Sequence, residues 1–408
     1  MMRLYFILLT ILLFSCNRAE DNRKLEYALD IAGENRAELE KVLENYEQGS
    51  LRYKSAKFLI ENMPDHIHLK SNLIDVFRDS IPQTRDNKVI NALWEKLADS
   101  LPDNSEYFQD VQTLNAEFLS KNIDKAFVAW DSAKWKNEIN FDIFCKYILP
   151  YKVANEPILE WRTQLREEYL PLIDTVADLN TAFEIIYKKV MGQFRDLWVA
   201  CPYPRDPVIT SKAKIGNCFE KAVFTVYVMR SLGIPSAVDF NLKWANYGNM
   251  AHEWVVLVKN GGKTFYIFDE ENPEAEEFGD IDASVLSYSY PYDNENSLFV
   301  VDTLKKTAKV YRRTYERFDL PETLENESIV EVFNDTHILD VSGNYGKKYS
   351  ITVSVKGNEK YSNIYLCTFT HGDSWHPIAI TDIKKTKRYL KILNPASFIF
   401  LLITMASG

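Results

Sequence analysis

Cys218, His252 and Asp269 are the residues of this chain whose types and order support nucleophilic chemistry: a thiol to attack, an imidazole to move its proton, and a carboxylate to hold the imidazole. The run Gly216-Asn217-Cys218-Phe219-Glu220 reads as a helix start. Asn217 supplies the N-cap, and Glu220, three residues on, can reach back to close a capping box. Cys218 then falls in the first turn, where unpaired N–H groups and the helix dipole are expected to lower a thiol's pKa.

The elements around these residues follow from local patterns. FEKAVFTVYVMRSL is apolar on nearly every face, which predicts a buried helix; Gly233 closes it, and Ile234 and Pro235 follow. Residues 252–258 and 264–269 are rich in β-branched and aromatic types and flank Asn260-Gly261, a strong hairpin signal. A two-residue turn centred there sets His252 opposite Asp269, with Cβ atoms roughly 5 Å apart. A slip onto Gly261-Gly262 sets Asp269 opposite Trp254 and diagonal to His252.

The strings GNCFEKAVFTVYVMRSLGIPSAVDF, AHEWVVLV and FYIFDEENP together resemble the core of the transglutaminase-like superfamily over residues 179–301. The resemblance implies a papain-like α+β core and carries Cys218, His252 and Asp269 over, by position, as the catalytic triad. Gln193 and Trp198 lie upstream of Cys218, where relatives often place an oxyanion-stabilising donor, and Trp254 joins them as a cleft candidate. Along most of its length the chain also resembles transglutaminase-domain lipoproteins of Bacteroidetes.

The implied reaction is attack of the Cys218 thiolate on an amide carbonyl, with His252 protonating the leaving amine and Asp269 holding the ring. The expected substrate is peptide, protein or peptidoglycan-derived. Water as second acceptor makes a peptidase or amidase, and an amine makes a crosslinker; hydrolysis is favoured because an exposed extracellular site meets water more often. The competing reading is a catalytically silent surface lipoprotein that binds peptide or glycan. Neither cofactor nor metal is expected.

The N-terminus points to an address. Arg3 precedes the apolar stretch 4–14, and Leu13-Phe14-Ser15-Cys16 resembles a lipobox with Cys16 lipidated. The stretch is far shorter than the ~20 residues a spanning helix needs. Residues 1–15 are therefore read as a signal peptide and 16–24 as a tether, giving an outer membrane lipoprotein on the periplasmic face or the cell surface; Phe14 departs from the lipobox pattern, and a plain secretory signal or a short anchor is the alternative. A net charge of -10 argues against nucleic acid.

Cys145, Cys201 and Cys367 show no repeated spacing, so neither a disulfide framework nor a metal knuckle is read. His66 and His68 have no third ligand at the right spacing and are expected at the surface. The acidic stretch 269–282 lacks the order of a Ca²⁺ loop and reads as solvated.

The rest of the chain divides by pattern. Residues 25–178 read as helical, with apolar stripes at Leu39, Val42, Leu43 and Tyr46 and again at Ala56, Leu59, Ile60 and Met63. Trp130, Trp135 and Trp161 read as helix-packing aromatics. Residues 179–305 form the expected core, and 306–408 alternate as in an antiparallel β-sandwich-like module, with an edge strand near the C-terminus. The fold class is α+β.

Overall fold

Short polar side chains start helix after helix along the first half of the chain. Ser50 accepts from the Tyr53 N–H at 3.1 Å, Asn115 from Phe118 at 2.9 Å, Asn140 from Ile143 at 2.9 Å and Asp178 from Thr181 at 2.8 Å. Each satisfies an amide that the first helical turn leaves unpaired. The computed structural model describes residues 23–196, 206–244, 251–262, 264–267, 275–277, 285–286, 305–320, 331–345, 349–353, 361–370, 374–382, 388–392 and 399–405.

The helices Arg36–Glu44, Leu51–Glu61 and Ala116–Ser132 bury the expected stripes, with Leu39, Val42, Ala56, Leu59, Ile60 and Met63 all inside. Trp130, Trp135 and Trp161 are buried in the same apolar cluster. The region is not wholly helical, however. Ile67–Lys70 pairs antiparallel with Glu106–Gln109. This pairing joins segments far apart in sequence, so no hairpin pattern announces it.

His66 and His68 correct a second expectation, because both are buried. His68 Nδ1 lies 2.7 Å from Asp110 Oδ1, while the other Asp110 oxygen accepts from Tyr151 at 2.7 Å and Lys152 at 3.0 Å. His66 Nε2 faces the Tyr315 carbonyl at 3.1 Å, and its ring stacks on Tyr315 and lies 3.6 Å from the His337 ring centroid. Polar groups survive inside because each meets a partner.

The central sheet has six antiparallel strands in the order Ile338–Asp340, Tyr311–Arg313, Ser236–Asn241, His252–Val258, Thr264–Ile267 and Ala275–Glu277. The helix Cys218–Ser231 packs on it, sharing one apolar cluster with the N-terminal helices. Two strands beyond residue 305 thus belong to the core sheet. Tyr311–Arg313 pairs with Ser236–Asn241, about seventy residues upstream, a pairing that alternation alone does not reveal.

A 3₁₀ turn covers Glu331–Phe333. Beyond it, Tyr349–Val353 pairs with Arg388–Ile392, and Tyr361–Thr370 lies between Ser374–Asp382 and Ile399–Met405, all antiparallel. The last strand sits at a sheet edge, as expected. Phe240, Tyr311, Phe333, Tyr365 and Cys367 form the apolar cluster that joins this part to the core sheet. The architecture is mixed helix and antiparallel sheet.

Candidate active site

The helix that carries Cys218 is fixed at both ends by its own sequence. Asn217 Oδ1 accepts from the Phe219 and Glu220 N–H groups at 2.8 and 3.2 Å, and Glu220 Oε2 accepts from the Asn217 N–H at 2.7 Å, a reciprocal capping box. At the other end Gly233 N–H donates to Arg230 O at 3.2 Å and Ile234 N–H to Met229 O at 3.0 Å, a Schellman closure. Gly233 has φ +75, and a Cβ there would stand 2.5 Å from Ala129 O, so both conformation and space require glycine.

Polar side chains pin the buried middle of this helix. The Tyr227 hydroxyl donates to Glu156, which also accepts from the Val153 and Ala154 N–H groups at 2.7 Å each. Arg230 Nη1 donates to Lys152 O at 2.7 Å, and Trp135 Nε1 to Gly233 O at 2.9 Å. The helical region therefore packs on the core instead of hanging from a linker.

Cys218 is half-buried in the first turn. Burial pushes its thiol above the ordinary value, and the Glu253 carboxylate adds to that rise; hydrogen bonds from the backbone N–H groups of Glu253 and Phe219 to the sulfur pull the other way without cancelling it. The expectation of a lowered thiol is corrected here. Loss of hydration outweighs the benefit of the helix N-terminus.

His252 opens its strand opposite Asn241, whose Oδ1 accepts from the His252 backbone N–H at 2.9 Å. The imidazole stacks with Trp244 and Trp254 at centroid distances of 6.0 and 5.9 Å. Trp254 is held in turn: its Nε1 donates to Tyr345 Oη at 2.9 Å, and that hydroxyl donates to Asp239 Oδ2 at 2.5 Å. Arg312 completes the chain with a two-pronged pair to Asp239 at 2.6 and 2.8 Å. All four of these supporting side chains are buried.

The hairpin has neither expected register. Val256 lies opposite Tyr266 and Val258 opposite Thr264, so the pairing is centred on Gly261. Gly261 and Gly262 both take φ +76 inside the connection that runs from Val258 to Thr264, which is longer than the two-residue turn expected. Asn260 is held from outside the hairpin, donating to Glu138 O at 2.7 Å and accepting from the Asn140 N–H at 3.1 Å. Such a register does not by itself set Asp269 opposite His252. Asp269 lies outside the described residues, as do Trp198, Cys16 and Cys201.

Of the remaining candidates, Trp254 spends its indole N–H on Tyr345 and contributes an aromatic wall beside His252. Gln193 accepts from the Tyr169 hydroxyl at 3.1 Å and borders neither cavity described below. Among the described residues no cluster of three metal-ligating side chains occurs.

Three residues that sequence reasoning passed over stand at this site. Glu253 touches the thiol through its backbone, Arg313 pairs with the Glu253 carboxylate at 3.0 Å, and Asn241 holds the His252 backbone. The Arg313 guanidinium also lies over the Phe219 and Phe240 rings. Arg313 borders two cavities: one of about 990 Å³ that also reaches Asn241, Ala251 and Glu253, and one of about 320 Å³ that reaches Phe219 and Glu220. The only sequence signal for Glu253 was its place after His252, and Arg313 gave none.

No protein-family profile matches the chain, and no curated protein matches it. Among solved structures, a "Putative Cysteine Protease" from Cytophaga hutchinsonii overlaps with a TM-score of 0.24 at 13% identity, over 28% of this chain and 38% of that one. Red sea bream transglutaminase overlaps with a TM-score of 0.25 at 12% identity, over 86% of this chain and 58% of the other. The chain thus spans less than two thirds of either structure's length, and overlaps this slight carry no argument about fold or activity.

Proposed function

We propose that the chain is a cysteine-nucleophile acyl-transfer enzyme of transglutaminase-like type, acting on amides of peptide, protein or peptidoglycan-derived substrates and tethered to the outer membrane through Cys16. The observation that carries this reading is the thiol's position. Cys218 sits at the start of a buried, doubly capped helix with its sulfur against the backbone of Glu253, the residue that follows His252.

In this reading the sulfur forms a bond to the substrate carbonyl carbon, and His252 takes the thiol proton as the attack proceeds. The raised thiol makes this transfer coincide with attack, because little free thiolate is present at neutral pH. The imidazolium then gives the proton to the departing amine, leaving a thioester. Water resolves the thioester in the hydrolytic form of the reaction, and Asp269 holds the imidazolium.

One observation favours the alternative of a silent binding protein: burial raises the Cys218 thiol, where an activated nucleophile has it lowered. The two readings part in a single experiment. Full-length protein in detergent, incubated with a peptide library, should release amine, and Cys218→Ala should release none. Release that is equal in Cys218→Ala contradicts the enzyme reading, and saturable peptide binding without release supports the silent one.

A further inference from the structure

Arg313 is held by two rings and a carboxylate and is open at one end. Side chains alternate along strands, and Phe240 pairs with both Tyr311 and Glu253, so Phe240, Glu253 and Arg313 share one face of the sheet. The guanidinium carbon lies 4.8 Å from the centre of the Phe240 ring and 5.2 Å from that of Phe219, within the range at which a cation is drawn to an aromatic face. Glu253 takes one edge of the fork, Oε1 accepting from Nη2 at 3.0 Å and Oε2 from Nε at 3.5 Å. Nη1 has no partner among the described residues, and the side chain keeps 26% of its surface exposed, so that end is not sealed inside.

Arg313 borders both cavities: the one of about 990 Å³ that reaches Ala251 and Glu253, the neighbours of His252, and the one of about 320 Å³ that reaches Phe219 and Glu220. Both volumes fall within the size of small-molecule sites, about 300–1,000 Å³. The link to the thiol is short. Glu253, whose carboxylate grips Arg313, gives its own N–H to the Cys218 sulfur, and Phe219 is the residue after Cys218. Arg317, the other arginine along the larger cavity, is divided between Asp65 at 2.7 Å and Asp319 at 3.0 Å. On Arg313 the remaining end offers one N–H from Nη1 and one from Nη2 side by side, a pair that matches the two oxygens of a carboxylate.

We propose that Arg313 is the specificity-determining residue of the site, its free end receiving a carboxylate that the substrate carries beside the amide attacked by Cys218. This assignment rests on the acyl-transfer reading above. The substrate class is then an amide with a free carboxylate close to the bond attacked, which peptides and their derivatives supply as an acidic side chain or a chain terminus. Glu253 does not compete for that end, because it holds the Nε edge and sets the direction of the fork. The two rings and Glu253 fix the guanidinium before the substrate arrives, so little side-chain freedom is left to lose on binding.

Two esters that differ by one charge test this role: mono-p-nitrophenyl glutarate, which ends in a carboxylate, and its methyl ester, which is neutral. In each the Cys218 sulfur displaces p-nitrophenolate. Both meet the same thiol, so their rate ratio at one pH is untouched by a change in the thiol's pKa. In the full-length protein the anionic ester should acylate Cys218 faster, and Arg313→Gln should shrink the ratio by about 10–100-fold. Arg313→Lys, which keeps the charge without the planar fork, should retain part of it. A wild type without preference for the anion, or a ratio unchanged in folded Arg313→Gln, overturns the assignment and leaves the acyl-transfer reading standing. Protection of the wild type needs neither a variant nor acylation. N-acetylglutamate α-amide, with one carboxylate, should saturably slow iodoacetamide labelling of Cys218 where N-acetylglutamine α-amide, with none, does not; equal protection by the two, or none, overturns the carboxylate site. If neither ester acylates a Cys218 that iodoacetamide labels, the acyl-transfer reading fails, and protection decides the carboxylate site by itself.

Discussion

Arg313 Nη2 lies 3.0 Å from Glu253 Oε1 while its guanidinium carbon lies 5.2 Å from the centre of the Phe219 ring. One side chain thus ties the residue after the candidate nucleophile to the residue after the candidate base. The Glu253 charge raises the Cys218 thiol, and Arg313 is the cation that offsets that charge. Glu253→Gln should therefore lower the apparent pKa read from the pH profile of Cys218 alkylation, and Arg313→Gln should raise it. In the wild type the rate should still be climbing above the usual thiol value of about 8.5. A plateau reached below pH 7, or a profile indifferent to both substitutions, contradicts this electrostatic account.

The buried pair behind Trp254 makes a stability prediction. Arg312→Met would leave Asp239 inside the protein without its cation, which typically costs about 3–5 kcal/mol. The loss should appear as a lower denaturant midpoint at unchanged slope, and adding Asp239→Asn should recover part of it. A shift worth under about 1 kcal/mol contradicts the burial of the pair.

Acid should weaken the fold through His66 and His337. Burial holds both imidazoles below their usual value, and His66 is lowered further by His337 and Lys152; Asp110 acts on His66, and Asp335 and Asp65 on His337, in the opposite sense. The unfolded chain then binds protons that the folded one refuses. Stability is full above the unfolded value of about 6.5 and falls as pH drops below it. Asp110, held low by Lys152 and His68 despite its burial, acts the same way only below the carboxylate range. Melting temperature should fall between pH 7.5 and 5, less steeply in His66→Phe, and a melt that rises on acidification contradicts the buried neutral rings.

What could be read from sequence was what short range dictates. Asn217, Glu220 and Gly233 name the two ends of the Cys218 helix because caps are made by residues within five of one another. The hairpin between His252 and Ile267 was legible as a hairpin, but not in register, since two successive glycines allow turns of different length. His68 gave no hint of burial because its partner Asp110 is 42 residues away, and His66 meets Tyr315 across 249. Asn241 did carry a faint signal: a polar residue closing an otherwise buried strand needs partners, and the His252 N–H is one.

The proposed membrane tether rests on the residues around Cys16. Cys16→Ala should abolish incorporation of labelled fatty acid and move the chain out of the detergent phase. Unchanged labelling contradicts the tether.

The account's central claim is that Cys218 and His252 act as one unit, and a double-mutant cycle on amide cleavage tests it most directly. With folding matched by thermal melts, Cys218→Ala and His252→Ala should each remove turnover by several orders of magnitude, and the double variant should lose little more than either alone. Losses that multiply, or turnover that survives Cys218→Ala, would contradict it.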